Sequence, residues 1–495
     1  RAEQERLEKE KQKPRERSRL YFMLAWFHAV TQERLRYSPL GWSKMFEFGD
    51  TDKRCALETI DYWIDNVAQG RDNVNPEKIP WEAIRTLLGQ SVYGGRIDNE
   101  FDQRLLDSFL KQLLQPKCFD LEFPLVEFKN SNNEIEKLNA PEGSTRREFI
   151  SWINSLPDNE NPAWLGLPNN SEILLLINQS KRMIVRFLKM QSIQMSDGDD
   201  DNSNSSNNIN SSNQKETKPQ WAIDLLKFVL TWEELLPKEL KNLEITAKSS
   251  NNPLFRFFER EVSIGKNLLN KIHRDLNTLK NVANGNQKQT NYIRSLMASI
   301  NKALIPSSWR IYSVSDSTSL SAWLVNFTKR IQQLQKIQET KEYGTKVWMG
   351  GLFNPEAFMT ATRQSAARAH SWSLENLELT AKVLENNEFP NESDETSFIV
   401  SGLVLEAASW NNEENQLSTT RDMSYKMPPV LFTWKLKSEE DDNEENNTNN
   451  EILIPVYLNE MRLELLFAVK LNGPSDLPSK YWYQRGVALL TTRPM

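Results

Sequence analysis

The sequence has few of the residues that build disulfide frameworks and most metal sites. Its 495 residues include only two cysteines, Cys55 and Cys118, and three histidines. The cysteines are far apart and form no CxxC pair, so neither a disulfide framework nor a cysteine-based metal site is expected. This cysteine usage is typical of a reducing compartment such as the cytosol.

Long apolar runs and a basic excess are also lacking. The apolar stretch from Leu20 to Phe27 is much shorter than the ~20 residues that cross a bilayer. A charged segment precedes it, so neither a membrane span nor a secretion signal is predicted. Lys and Arg number 61 against 67 Asp and Glu, which gives a net charge of −6. Because nucleic-acid backbones attract basic surfaces, this balance does not favour nucleic-acid binding.

No motif for nucleotide binding, metal binding or nucleophilic catalysis is complete. A phosphate loop needs GxxxxGK[ST], but the single Gly-Lys pair, Gly265-Lys266, is followed by Asn267 inside a predicted helix. The segment around Ser91 misses the GxSxG pattern by one residue. The histidines, His28, His273 and His370, are placed on three separate helices. A free-standing hydrolase is therefore disfavoured, and we assign no catalytic, cofactor-binding or metal-ligating residue.

Helical periodicity dominates the first third of the chain. Residues 1–19 are charged with almost no apolar face, which indicates a solvated arm or connector. Because the chain starts in this run without an initiator Met, we expect a piece of a longer protein. Apolar spacing, prolines and capping residues then predict a small helical domain with helices at about 18–37, 52–68, 81–92, 99–114 and 145–156.

The middle third is predicted to be helical around a low-complexity insert. Residues 197–213 are almost all Asp, Asn, Ser and Gly, and such a segment cannot offset its ordering entropy by burial, so we expect it to be disordered. The clearest helix runs from Pro253 to about Ala283, with one broad apolar face. Further helices are predicted at 171–195, 287–304, 320–340 and 353–372.

After Ser373 the apolar period changes from about 3.6 to 2, which is the pattern of half-buried strands. Six strands with short connections and no helix between them predict an antiparallel sheet that closes toward a barrel or a sandwich. The overall fold class is α+β, and residues 439–451 form an acidic loop. The predicted strands are 377–383, 398–405, 431–436, 452–458, 463–471 and 483–490.

Ten strings of this sequence carry a resemblance to a known family. The strings are Leu20–Arg34, Pro39–Trp42, Pro80–Trp81, Tyr93–Arg96 and Trp164–Asn169, then Asn252–Glu261, Pro306–Trp309, Gly350–Phe358, Thr362–Gln364 and Gln484–Ala488. In this order they resemble parts of dynein heavy chains of the cytoplasmic class. The first five resemble the small helical lid of the sixth AAA+ module, and the last five resemble the dynein C-terminal domain.

The resemblance implies a segment of an ATP-driven, minus-end-directed microtubule motor of the cytoplasm and cytoskeleton. In this family ATP and Mg bind in other AAA+ modules, and the sixth module is not a hydrolysis site. A lid of this kind can offer an arginine to a phosphate, and Arg96 and Arg104 are conceivable, but a surface ion pair is the better interpretation for both. No cofactor is expected in this segment.

The resemblance also implies a domain order and a set of partners. The domains are an arm at 1–19, the lid at 20–172, the helical part of the C-terminal domain at 173–372 and its barrel-like part at 373–495. The implied partners are the rest of the motor ring (the first and sixth AAA+ modules and the linker), the microtubule through an absent stalk, and intermediate, light intermediate and light chains through an absent tail. Two roles remain open: a brace that modulates motor output, and a docking scaffold for a regulatory partner.

Overall fold

The computed structural model describes residues 14, 16–129, 135–142, 146–158, 161–197, 220–244, 251–312, 314, 318–341, 343, 346–384, 396–420, 422, 424–437 and 451–491. The chain divides into two compact units. The first comprises Arg1–Leu176, Leu405–Tyr425 and Asn447–Leu490, and the second comprises Ile177–Val404, Lys426–Asn446 and Thr491–Met495. Most of the predicted arm, of the 197–213 insert and of the acidic loop lies outside the described residues.

Helices form most of the regular secondary structure of the first unit. The predicted helix near 18–37 is α1, and its apolar positions, including Leu20, Met23 and Phe27, are buried. Asn99 caps α4 by accepting a hydrogen bond from the Phe101 amide at 2.9 Å. The helices are α1 (Glu16–Arg34), α2 (Asp50–Ala68), α3 (Trp81–Thr86), which continues as a π-helical turn, α4 (Glu100–Leu113) and α5 (Arg146–Asn154).

A β-hairpin that the sequence did not predict lies between α4 and α5. It pairs β1 (Pro124–Lys129) with β2 (Ile135–Asn139) in antiparallel register. Apolar and polar residues alternate only briefly in these strands, so the period-2 signal is weak.

The second unit is built around one long helix. The helix predicted from Pro253 to about Ala283 has these bounds, and Asn252 caps it by accepting from the Leu254 amide at 2.9 Å. The helices here, the first of which starts within the first unit's range, are α6 (Ser171–Asp197), α7 (Gln220–Leu235), α8 (Pro253–Ala283), α9 (Asn291–Asn301), α10 (Leu320–Thr340) and α11 (Pro355–His370).

The remaining strands are short, and one late helix lies among them. The strands are β3 (Val347–Trp348), β4 (Leu377–Val383), β5 (Ser397–Ser401), β6 (Val404–Glu406), β7 (Ser409–Asn411), β8 (Gln416–Ser418), β9 (Ser424–Lys426), β10 (Val430–Leu436), β11 (Glu451–Tyr457), β12 (Leu465–Asn472) and β13 (Ala488–Leu490), with α12 (Ser479–Arg485) before β13.

The expectation of one barrel-like module from six antiparallel strands is not confirmed. The described strands after α10 belong to a sheet of order β3-β5-β10-β4, another of order β12-β11-β13-β6-β9 and the hairpin β7-β8, and none of these closes into a barrel. Two pairings, β11 with β13 and β3 with β5, are parallel. Alternation along a strand reports which face is buried, but it does not specify the neighbouring strand.

The predicted strand at 483–490 is wrong in its first half. Residues up to Arg485 are helical in α12, and the left-handed Gly486 (φ +68°) ends that helix before β13 begins. The helix therefore interrupts what the sequence indicated as a run of strands without helices.

A buried carboxylate organises the core of the second unit. Glu261 of α8 is 1 % exposed and accepts hydrogen bonds from the amides of Phe353 at 2.7 Å and Asn354 at 3.0 Å. Arg330 of α10, also buried, donates to the carbonyl of Leu352 at 2.8 Å. The turn before α11 is thus held by an acid from one helix and a base from another. Burial raises the pKa of Glu261, and these hydrogen bonds oppose the rise.

Replacing this carboxylate by an amide should loosen the second unit. In Glu261→Gln one of the two amide donors faces an NH₂ group, which leaves a buried donor unpaired at a cost of about 1–3 kcal/mol. Hydrogen exchange of residues 352–356 in the intact heavy chain should become at least several-fold faster. The control Glu259→Gln, on a more exposed face of the same helix, should leave exchange unchanged, and equal effects of the two variants would contradict this role.

Candidate functional site

A fully buried arginine joins three segments of the first unit. Arg34, the last residue of α1, is 0 % exposed. Its Nε donates to the Gly41 carbonyl at 3.0 Å, and its Nη1 donates to the Gln484 carbonyl at 3.0 Å and to the Leu165 carbonyl. We call this group, Arg34 with Gly41, Leu165 and Gln484, the Arg34 joint. It fastens α12, near the C-terminal end of the sequence, to α1, near its N-terminal end.

The local sequence prepares this joint by close backbone packing. Gly41 lies directly over the Arg34 carbonyl, where a Cβ would overlap the oxygen. The indole of Trp42 donates to the Thr31 carbonyl at 3.0 Å, which folds the backbone after α1 back onto the helix. The guanidinium of Arg34 lies 5.3 Å from the ring centroid of Phe109 in α4. The string 39–42 therefore shapes the pocket that holds the guanidinium.

The residues at the end of α12 pack against the same turn after α1 and the same guanidinium. Gly486 adopts φ +68°, and a Cβ there would overlap the Leu40 carbonyl oxygen. The Gln484 side chain donates to Gln112 Oε1 at 3.0 Å, so it contacts α4 while its carbonyl accepts from Arg34. A left-handed residue at such a close approach has to be glycine.

A second group of polar side chains continues from the Arg34 joint to strand β11. Asp102 of α4 accepts hydrogen bonds from the Ser43 amide at 3.1 Å and from its hydroxyl at 2.5 Å. Asn99 Nδ2 donates to Ser43 Oγ at 3.2 Å and to the hydroxyl of Tyr457 in β11 at 2.9 Å. This series of contacts gives the C-terminal strands a second attachment to the helices of the unit.

Burial dominates the electrostatics of these groups. It raises the pKa of Asp102 to about 6, while Ser43 and the cations Arg462 and Arg34 oppose the rise. Burial lowers the pKa of Arg34 to about 9, which still leaves the guanidinium charged at neutral pH. Because the charged Arg34 is desolvated, its carbonyl partners carry much of its stabilisation. The arrangement uses its donors and acceptors to hold separate protein segments together.

The arginines considered from sequence lie at the surface. Arg96 is ion-paired with Asp52 at 3.1 Å and donates to the Glu47 carbonyl at 2.7 Å. Arg104 pairs with Glu100 one helical turn away at 2.6 Å. The structure does not bring the two together with any residue of the Arg34 joint.

The histidines and cysteines are dispersed. His28 Nδ1 lies 3.0 Å from the Tyr93 hydroxyl, His273 contacts the Pro237 carbonyl, and His370 stacks on Trp372. Both cysteines are free. Within the described ranges, no three His, Cys, Asp or Glu side chains are grouped closely enough to hold a metal ion. No described helix has the length and apolarity needed to cross a membrane.

Sequence reasoning did not find the residues of the Arg34 joint. Arg34 and Gln484 occupy ordinary positions at helix ends, and nothing in the helical period shows that an arginine will be buried. The signal that could have found them is indirect: strings 39–42, 164–169 and 484–488 each contain a glycine that is a joint residue or lies within two positions of one. These strings come together only in the folded protein.

The close approach at Gly486 can be tested against a matched glycine. Gly486→Ala should cost about 1–2 kcal/mol for the left-handed backbone and about 1–3 kcal/mol more for the overlap with Leu40. Gly70→Ala has a similar backbone (φ +80°) but open space around the new Cβ, so it should cost only the first part. Hydrogen exchange near each glycine in the heavy chain measures both, and equal costs would refute the tight packing.

The raised pKa of Asp102 predicts a pH dependence of the first unit. Because the folded pKa of about 6 lies above the unfolded value near 3.9, the stabilising contribution is complete below about pH 4 and is lost as the pH rises through 6. Asp102→Asn should therefore remove that loss. Protection factors of residues 40–44, corrected for intrinsic exchange, should fall from pH 5 to 7.5 more in the parent protein than in the variant. The exposed control Asp98→Asn should keep the parental pH profile.

Two families match consecutive parts of this protein. Residues 17–171 match the family of the AAA lid domain of the dynein heavy chain, and residues 177–491 match the family of its C-terminal domain. The Arg34 joint therefore links residues of both matches. Arg34, Gly41 and Leu165 lie in the first match, and Gln484 lies in the second.

Curated relatives match almost the whole sequence. The cytoplasmic dynein heavy chain of Dictyostelium discoideum is 48 % identical to it, and the match covers 96 % of the present sequence. The cytoplasmic dynein heavy chain of Drosophila melanogaster is 42 % identical, and that match covers 97 % of the present sequence. The ciliary dynein beta chain of Heliocidaris crassispina is 27 % identical, with 95 % of the present sequence covered. The sequence spans about 10 % of the length of each of these relatives. This protein thus belongs to the dynein heavy chain family, of which it contains an AAA lid domain and the C-terminal domain.

Proposed function

We propose that this segment is a structural brace of an ATP-driven, minus-end-directed microtubule motor, and that it modulates motor output without hydrolysing ATP itself. The observation that carries the proposal is the Arg34 joint, in which one buried guanidinium ties the end of the C-terminal domain to the lid. A ring motor has to pass a small movement at one module to distant parts. Packed elements joined by buried contacts can do this, whereas loosely attached ones cannot.

The lid, proposed at 20–172 as part of the sixth AAA+ module, would move as a rigid body with the large subdomain before it. The C-terminal domain, proposed as a helical part at 173–372 and a β-rich, barrel-like part at 373–495, would restrain the opening of the ring. Residues Asn447–Leu490 lie in the same compact unit as the lid helices. We therefore propose that the lid carries this part of the C-terminal domain with it when it moves.

Exposed apolar side chains on α6 support contact with other parts of the parent motor. Leu176, Met183 and Phe187 are each more than 60 % exposed, and Ile173 and Ile177 extend the same helical spacing. Such a seam is uncommon on a surface that faces only water. Because about nine-tenths of the relatives' length lies outside this sequence, we propose that the rest of the ring covers the seam.

The remaining properties follow from the family and are proposed for the whole motor. ATP and Mg would bind in other AAA+ modules, in line with a sequence here that contains no phosphate loop. The partners would be the first and sixth AAA+ modules, the linker, the microtubule, and the intermediate, light intermediate and light chains. The names of the most similar relatives favour a cytoplasmic, microtubule-associated location. The docking alternative is supported by a separate groove beside Arg485.

Graded weakening of the contacts between the C-terminal segment and the lid tests the brace. Tyr457→Phe removes one hydrogen bond to the lid, Gln484→Ala removes two, and Arg34→Met removes three, at about 1 kcal/mol for each bond. Single-molecule stall force and run length should fall in that order, while basal ATP turnover of the intact motor changes little. Truncation from Ser373 is less informative because it also removes strands of the lid's own unit.

The matched control is Tyr62→Phe, which removes a hydroxyl from an exposed side chain of α2 and should leave motility unchanged. Parallel losses of ATP turnover and stall force in Gln484→Ala, with the ring still folded, would contradict a bracing role.

A further inference from the structure

A large open groove lies within the first unit, next to the Arg34 joint, with which it shares Gln484. Its volume is about 1110 Å³, slightly above the roughly 300–1,000 Å³ of ordinary small-molecule pockets. Strand β1 lines one side, α12 lines another, and Trp26 and Trp164 supply aromatic surface. The size and the open, elongated lining of strand and helix suit an extended peptide better than a compact small molecule.

Arg485 of α12 lines this groove with an unsatisfied guanidinium. Its Nη1 donates to the Tyr481 hydroxyl at 3.0 Å, and its Nε is buried without a hydrogen-bond partner among the described residues. Within the same residues no carboxylate pairs with it, and burial lowers its pKa. A partly buried cation held only by neutral groups is costly, and an incoming carboxylate would offset that cost.

The other charges of the groove also favour an anion. Lys480 lines it and is exposed, with no ion pair in the part of the protein that the structure describes. Glu127 lines it too, but Lys137 neutralises this carboxylate at 2.8 Å. Among the described lining residues, Asp476 is then the one carboxylate without a counter-ion. Two cations against one uncompensated carboxylate leave the groove positive.

Amides along the floor complete a surface of the kind that binds peptides. Gln112 donates to the Leu125 carbonyl of β1 at 2.9 Å, and Gln484 donates to Gln112 at 3.0 Å. These contacts connect β1 to α12 and fix the floor. Aromatic walls for side chains, amides near the backbone and one cation for a carboxylate are the components of sequence-selective peptide grooves.

We propose that this groove binds an extended peptide segment of a partner protein, and that the Arg485 guanidinium, assisted by Lys480, receives an Asp or Glu side chain of that segment. Arg485 is then a specificity-determining residue, and its place in the string Gln484–Ala488 has a role apart from the joint formed by Gln484. This inference does not rest on the brace, because peptide binding and stall force are measured separately.

The test uses the intact motor and an array of ten-residue peptides. The peptides carry Glu, Gln or Lys at a fixed central position in otherwise identical randomised pools. The parent motor should bind the Glu pool about tenfold or more better than the Gln pool, as expected for a charge-assisted hydrogen bond. Arg485→Met should abolish this preference, and the exposed Lys480→Gln should reduce it with the fold intact. Lys111→Met, an exposed control on α4, should leave it unchanged.

Three results would overturn the proposal. The first is equal binding of the Glu and Gln pools by the parent motor. The second is a Glu preference that survives in both Arg485→Met and Lys480→Gln. The third is complete competition by free N-acetylglutamate at the concentration of the peptide, which would assign the groove to small carboxylates. Hydrogen exchange of α12 checks that Arg485→Met remains folded.

Discussion

The burial of a charged guanidinium with main-chain partners from distant segments is the constraint on which the first unit depends. Arg34 cannot lose its charge at neutral pH and has no access to water, so its three carbonyl partners have to stay in place together. Those carbonyls belong to the turn after α1, to the loop before α6 and to α12. If any one of these carbonyls moves away, Arg34 loses a hydrogen-bond partner, and its buried charge then destabilises the whole group. The joint is therefore cooperative.

The second unit uses the same principle with the opposite charge. Glu261 is a buried carboxylate that accepts from main-chain amides, and Arg330 is a buried base that donates to the neighbouring carbonyl. Both units thus contain a buried ionic side chain of a helix that fixes an irregular segment by its backbone. Backbone partners suit this task because their positions change only when the segment itself moves. Side-chain pairs on the surface would allow such movement at little cost.

The groove beside Arg485 and the Arg34 joint share residues of one helix. Gln484 contacts α4 through its side chain and Arg34 through its carbonyl, and both Gln484 and Arg485 line the groove. Successive residues of a helix point about 100° apart, so a short helix such as α12 can contact the core on one face and a solvent-filled groove on another. A peptide bound in the groove would touch the same helix that the joint holds. A coupling between regulation and bracing would then need no additional element.

The sequence by itself determined the helices with a strong 3.6-residue period, above all α8, as well as the change to strands after Ser373 and the membership of the dynein heavy chain family. These are local signals, carried by the spacing of apolar residues and by contiguous strings. Only the tertiary structure decided that β3 and β13 each pair in parallel with a neighbour, that the described strands do not close into one barrel, and that residues Asn447–Leu490 lie with the lid. It also decided that Arg34 is buried. Strand partners and buried charges depend on contacts between residues tens to hundreds of positions apart, and local periodicity contains no information about them.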